Sequence, residues 1–158
     1  MLGLLYFGRL EKEKWFDGII EMIERFWKEL PVEIFIFGSW SGEKRIQELA
    51  NENSNIHFFW RQSLDTIKRY ISNCNYCLMP SECLETFGLS ALNAIQRWLP
   101  VIWYAKWGLK DFIDPKLDIT HQPWTTTGQK LYNLIKVCTD PKKNSTFQHF
   151  NISTIFKR

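Results

Sequence analysis

Apolar positions along the chain alternate between short unbroken runs and stretches that recur every three or four residues. The runs are "LGLLYFG" (2–8), "VEIFIFG" (32–38), "NIHFFW" (55–60), "YCLMPS" (76–81) and "PVIWY" (100–104). Between them lie helical periods. In "KWFDGIIEMIERFWKEL" (14–30), Phe16, Ile19, Ile20, Ile23, Phe26, Trp27 and Leu30 repeat at three- and four-residue steps, so they share one face of a helix. "EKRIQELANE" (43–52), "SLDTIKRYISN" (63–73) and "GLSALNAIQRW" (88–98) fill the remaining gaps. Strands that are apolar throughout must be buried on both faces, which a parallel sheet covered by helices achieves. The pattern therefore predicts an α/β fold with a parallel sheet. After Asp111 the signals weaken. A short helix "GLKDFI" (108–113), a turn around "DPKLD" (114–118), a Thr-capped helix "TGQKLYNLIKVC" (127–138) and a start of a last helix in "FNISTIFKR" (150–158) are expected.

Composition narrows the class. A chain of 158 residues, 45% hydrophobic and 23% charged, is the size of one domain with a proper core. No apolar run is long enough to span a membrane. "MLGLLYFGRLEKEK" has too short an apolar part, and no basic residues ahead of it, for a signal peptide, so it reads as the first strand. The net charge of +3 lacks the basic stripe of a nucleic-acid binder and suits a phosphorylated small ligand. Of four cysteines, Cys74 and Cys77 form a lone C-x-x-C that runs into a strand; a zinc ribbon needs a second pair, and only Cys83 and Cys138 remain. They read as structural thiols in a reducing compartment. The sequons at Asn144 and Asn151 carry no weight without a secretion signal.

In open parallel sheets, ligands bind beyond the carboxyl ends of strands, where helix N-termini point. The loops to inspect are therefore 8–14, 38–42, 60–62, 80–89 and 104–110. In "FGRLEKEKW", Gly8 lets the chain turn, and Arg9 and Lys14 bracket the turn with positive charge suited to phosphate at a helix start. The other reading of "EKEK" is a solvated helix entrance with ordinary ion pairing. Neither a P-loop nor G-x-G-x-x-G is present. "FGSWSGEK" sets Gly38 and Gly42 in a tight strand-to-helix turn. In the fourth loop, Glu85 and Thr86 precede Phe87-Gly88-Leu89, where a helix begins. Free backbone N–H groups there suit phosphate or sugar oxygens, while the carboxylate accepts from hydroxyls; a simple capping role for Glu85 is the alternative. His57 falls inside a strand and reads as a core or edge residue, and His121 and His149 have no partner acid at a recognisable spacing. There is no nucleophile elbow and no metal-ligand cluster.

The ordered set of these segments resembles the C-terminal, nucleotide-sugar-binding domain of GT-B glycosyltransferases, and is most similar to the retaining family 4. Gly8-Arg9-Leu10 with Glu13-Lys14 resembles that family's G-R-L-x-x-E-K-G; Phe37-Gly38 with Gly42 resembles its second loop. Pro80-Ser81, Glu85, Phe87-Gly88-Leu89, Ala94 and Pro100-Val101-Ile102 resemble its P-S…E-x-F-G-L-x-x-x-E-A…P-V-I. The likeness runs from about residue 3 to 113.

The resemblance implies a Rossmann-like three-layer α/β fold, a parallel sheet flanked by helices, forming the C-terminal half of a GT-B architecture. Residues 1–158 would be a single nucleotide-sugar-binding domain, with the acceptor-binding N-terminal domain absent from this chain. It implies a retaining hexosyltransferase with a nucleotide-diphospho-sugar (UDP-, GDP- or ADP-sugar) as donor, no bound metal, and no other cofactor. Arg9 and Lys14 would hold the donor diphosphate and stabilise charge on the leaving group. Glu85 would contact sugar hydroxyls, while Gly8, Gly38, Thr86, Phe87, Gly88, Leu89 and Asn93 would line the donor site. Base contacts in such folds come from the backbone near 60–62. The expected partner is an N-terminal acceptor domain, fused upstream or separate; no nucleic acid and no transmembrane segment is expected. Localisation would be cytoplasmic, at the inner face of a membrane where the partner domain brings it there.

The chain departs from the family pattern in three ways. The family's second Glu, which binds ribose hydroxyls, is Asn93 here, a change from a charge-assisted to a neutral hydrogen bond worth about 1–2 kcal/mol, or roughly tenfold in affinity. Trp15 stands where the family has a glycine. The acceptor domain is expected to lie outside these 158 residues. These departures motivate an alternative, a degenerate non-catalytic sugar-nucleotide-binding or scaffold module. A GT-B-related epimerase fits the retaining signature poorly.

Overall fold

A computed structural model describes residues 1–11, 16–39, 41–80, 89–97, 99–104, 115–120 and 126–144. Five strands form one parallel sheet: β1 (Leu2–Phe7), β2 (Val32–Phe37), β3 (Ile56–Phe59), β4 (Tyr76–Met79) and β5 (Val101–Trp103). Their order is β3-β2-β1-β4-β5. The helices between them are α1 (Phe16–Phe26), α2 (Glu43–Glu52), α3 (Leu64–Ile71) and α4 (Leu89–Ile95), followed by α5 (Thr127–Thr139) and α6 (Pro141–Asn144).

All five expected strands form; β1, β2, β4 and β5 are buried along most of their length, while the edge strand β3 is buried at Ile56 and only partly covered at His57, Phe58 and Phe59. Leu4, Ile34, Ile36, Leu78 and Ile102 are completely buried. Right-handed crossovers from β1 through β2 to β3 put α1 and α2 on one face; the chain then returns past β1, which puts α3 and α4 on the other. Ring contacts mark the two faces. Tyr6 packs on Phe16 of α1, with centroids 5.1 Å apart. Phe35, Phe37 and Phe59 gather around Tyr70 of α3 at 5.1–5.6 Å. The register agrees, since Phe7, Phe37 and Phe59 lie abreast, as do Leu5, Phe35 and His57.

Boundaries differ slightly from those read in the sequence. The helix expected over 14–30 is α-helical from Phe16 to Phe26 and tightens into a 3-10 turn at Trp27–Glu29. There the buried Trp27 ring N–H donates to Asn55 Oδ1 at 2.9 Å, and Asn55 Nδ2 donates to the Val32 carbonyl at 2.8 Å. The "DPKLD" turn holds a 3-10 turn at Pro115–Leu117, and the short α6, absent from the sequence reading, follows α5. The helices expected over 108–113 and 150–158 lie outside the described residues.

The last helices attach through α1. Gly18 of α1 faces Thr127 so closely that a Cβ would strike its side chain, and Glu21 Oε2 accepts from the Gly128 N–H at 3.1 Å. Thr126 caps α5 by accepting from the Gln129 N–H, and Tyr104 and Thr127 share a buried hydroxyl–hydroxyl bond of 2.9 Å. α5 thus runs from the end of β5 onto α1 and packs along that helix.

Candidate functional site

Strand order reverses at β1: the chain leaves it toward β2 and comes back from β3 to β4. The switch point therefore lies between β1 and β4, with its opening beyond Phe7 and Met79. Beside it is a crevice of about 310 Å³ at the carboxyl ends of β1, β2 and β3. Its floor is Phe7, Phe37 and Ile67, and its polar rim carries Arg9, Ser39, Arg61 and Gln62.

Three strand-end loops are laced together to make that rim. The Gly8 N–H donates to Phe37 O at 3.0 Å and the Gly38 N–H to Phe59 O at 3.1 Å, carrying the ladders one residue past the strands. Leu10 N–H donates to Ser39 O at 3.2 Å, and its carbonyl accepts from the Gly42 N–H at 3.0 Å. The chain bends at Gly8, φ 158°. Gly38 is needed for space: a Cβ there would strike the Gly8 carbonyl oxygen and crowd the fully buried Leu10 side chain at 2.9 Å. The Tyr6 hydroxyl, buried under this loop, donates to the Arg9 carbonyl at 2.7 Å. Burial is the main cause pushing the Tyr6 phenol far above its ordinary value, so it stays a donor at all working pH.

Of the residues singled out in the sequence, Gly8, Arg9 and Gly38 come together at this crevice. Arg9 is 60% exposed at the side chain and pairs through Nη1 with Glu11 at 3.2 Å. Leu89 opens α4, and Asn93 sits one turn along it, half-buried, its carbonyl accepting from Arg97 Nη1 at 2.9 Å. Lys14, Glu85, Thr86, Phe87 and Gly88 lie outside the described residues.

Two contributors had no assigned role in the sequence, although Arg61 lay in the inspected loop 60–62. Arg61, the first charged residue past β3, brings a second guanidinium to the rim and has no ion pair among the described residues. Tyr6 looked like one more apolar strand position. The signal for Arg61 was its place immediately after a strand end; the signal for Tyr6 was only that a buried phenol needs an acceptor. Arg9 and Arg61 together make a crevice whose charge and donors suit an anion bearing several oxygens.

Of the other candidate groups, His57 and Cys74 have structural partners. His57 lies on the edge strand β3, stacked on Phe35 at 4.8 Å, with Nε2 2.7 Å from Glu33 Oε1, away from the strand ends. His121 and His149 are outside the described residues. The Cys74 thiol donates to the Tyr70 carbonyl at 3.3 Å, and burial, followed by the nearby Glu33 charge, pushes its pKa up to about 12. Cys77 is fully buried, which raises its thiol further. Thiolate is the reactive form, so both thiols should resist iodoacetamide at neutral pH in the native chain and react on unfolding in urea, as peptide mass spectrometry would show. Rapid native alkylation of Cys77 would contradict the burial. Cys83 lies outside the described residues. No group of three or more potential metal ligands occurs among the described residues, and none of the described helices is long and apolar enough to cross a membrane.

Comparison with known proteins converges on one group. The family model described as "Glycosyl transferases group 1" matches residues 3–122. A pneumococcal O-GlcNAc transferase solved with UDP and GlcNAc is 25% identical at a TM-score of 0.68, over 85% of this chain and 28% of that one. A sucrose-phosphate synthase from Thermosynechococcus elongatus is 23% identical (TM-score 0.67; 98% of this chain, 42% of that one), and an Anabaena protein solved with UDP and glucose is 19% identical (TM-score 0.65; 98% and 46%). At those identities the last two demonstrate the shared fold alone. The chain spans only about 28–34% of the length of the first structures it resembles. No curated protein matches it significantly.

Proposed function

The chain belongs to the group 1 glycosyltransferase family, and from that premise we propose that it is the donor-binding half of a retaining, family 4-like hexosyltransferase. Its ligand is a nucleotide-diphospho-sugar. The observation that carries this reading is the strand-end crevice beside the switch point, where Arg9 stands on a loop pinned to its neighbours and Arg61 faces the same space.

Chemically, breaking a glycosyl–phosphate bond leaves negative charge on the departing diphosphate. Guanidinium groups held in place beforehand stabilise that charge without reorganising during the reaction. In this reading Arg9 and Lys14 engage the diphosphate, Arg61 adds charge at the nucleotide side, and Glu85 accepts hydrogen bonds from sugar hydroxyls. The amides from Thr86 through Leu89 approach sugar and phosphate oxygens, and Asn93 accepts from the ribose. Transfer then requires acceptor contacts from an N-terminal GT-B domain, and proceeds with retention of anomeric configuration.

Calorimetric titration with UDP-, GDP- and ADP-sugars tests the proposal. Binding of one series at micromolar to millimolar strength, with the preference for the sugar over the free nucleotide reduced in Glu85→Ala, is the expected outcome. No binding across the panel would sink it. The amide at Asn93 favours a second reading, a non-catalytic sugar-nucleotide module. Glycosyl transfer by the unmodified chain together with an acceptor domain would rule that out.

A further inference from the structure

Glu11 stands two residues after Arg9, and its side chain is only 12% exposed while that of Arg9 is 60% exposed. Both of its carboxylate oxygens lie on the same guanidinium nitrogen, Arg9 Nη1, at 3.2 and 3.5 Å. This is a one-nitrogen contact and not the parallel two-nitrogen fork of a strong Arg–carboxylate pair, so it is readily exchanged. The backbone beneath is not free to follow. The Arg9 carbonyl is held by the Tyr6 hydroxyl at 2.7 Å, and Leu10 is tied to Ser39 and Gly42. Only the Arg9 side chain can change partners, by rotating about its own bonds.

We infer that Glu11 is an internal stand-in for the ligand's phosphate: it holds the Arg9 guanidinium before nucleotide arrives, gives it up to the diphosphate, and takes it back on release. This rests on reading Arg9 as a diphosphate contact. The chemistry is matched, since carboxylate and phosphate oxygens accept the same donors. The consequence falls most on the product. A free nucleoside diphosphate carries about one more negative charge than the same nucleotide esterified to a sugar, so a purely cationic crevice would hold product more tightly than donor. A competing carboxylate at Arg9 counteracts that preference and speeds release.

The test uses the full chain and its Glu11→Gln, Glu11→Met, Arg9→Ala and Glu11→Gln/Arg9→Ala variants. Binding of UDP, GDP, ADP and inorganic diphosphate is measured by calorimetry, with thermal melts to confirm folding. Removing the charge at Glu11 should tighten diphosphate-bearing ligands about two- to fivefold, as expected for losing a weak ion pair whose guanidinium is solvent-exposed. The gain should disappear when Arg9 is also removed, and stopped-flow release should slow in proportion. Glu11→Gln and Glu11→Met chains that fold yet bind no tighter, or a gain that persists without Arg9, would overturn the inference while leaving the diphosphate reading intact. If wild-type chain binds none of the four probes, or if Arg9→Ala binds like wild type, both fall together.

Discussion

Replacing Gly38 with alanine should destabilise the chain by about 2–4 kcal/mol and abolish nucleotide binding at the same time. The new methyl would press on the Gly8 carbonyl oxygen, a backbone atom with no rotamer to escape into, and on Leu10, which is 1% exposed. Relief requires the ends of β1 and β2 to part. That breaks the Gly8-to-Phe37 and Leu10-to-Ser39 bonds, which hold the β1 and β2 loops in register. Urea denaturation would measure the stability loss and calorimetry the lost binding. Ser39→Ala, one residue further on and at the crevice rim, should shift stability by less than about 0.5 kcal/mol. A Gly38→Ala chain as stable as wild type would contradict the close approach of the two loops.

Arg9→Ala should weaken nucleotide-diphosphate binding about 10- to 100-fold while leaving the melting temperature nearly unchanged. The separation is expected because Arg9 supports the loop through its carbonyl, which alanine keeps, and presents its guanidinium to solvent at 60% exposure. Arg9→Lys should recover only part of the loss, since an ammonium cannot offer the planar pair of donors that matches two phosphate oxygens. Raising salt should erode wild-type binding more steeply than that of Arg9→Ala. Equal affinity in wild type and Arg9→Ala would remove Arg9 from the site.

Sheet and helices were readable because burial on both faces imposes continuous apolar runs, and burial on one imposes a helical period. Helix ends were less so. Residues 27–29 carry the apolar period of α1 but leave the α-helix because the Trp27 ring reaches across to Asn55, a partner 28 positions away that no local pattern announces. That Gly8, Arg9 and Gly38 share one crevice was readable since each follows a strand end, where this topology opens its clefts. Why Gly38 must be glycine was not, because the reason is the Gly8 carbonyl of a different loop. Arg61 sits in a stretch with no motif, and its value comes from sharing a crevice with Arg9. The "EKEK" segment admitted both a phosphate-gripping and an ion-pairing reading. The structure shows one ion pair there directly, Arg9 with Glu11.

The sheet is not equally well sewn across its width. β1 and β2 pair along their whole length, from Leu2 opposite Val32 to Phe7 opposite Phe37, whereas β1 and β4 pair only at Leu4 with Tyr76 and Leu5 with Cys77. The tie below that seam, between Gly3 and Asn75, joins positions 72 residues apart. The β3-β2-β1 and β4-β5 halves thus meet along a short hem of strand pairing, bridged by α5, which reaches from Tyr104 past β5 to Glu21 of α1. The topological switch point lies at the open end of that hem. Under the proposed reading, a nucleotide sugar gripped by Arg9 on one side and by the β4–α4 segment on the other would act as a removable stitch, and occupancy of the site would be felt as mechanical cohesion of the whole domain.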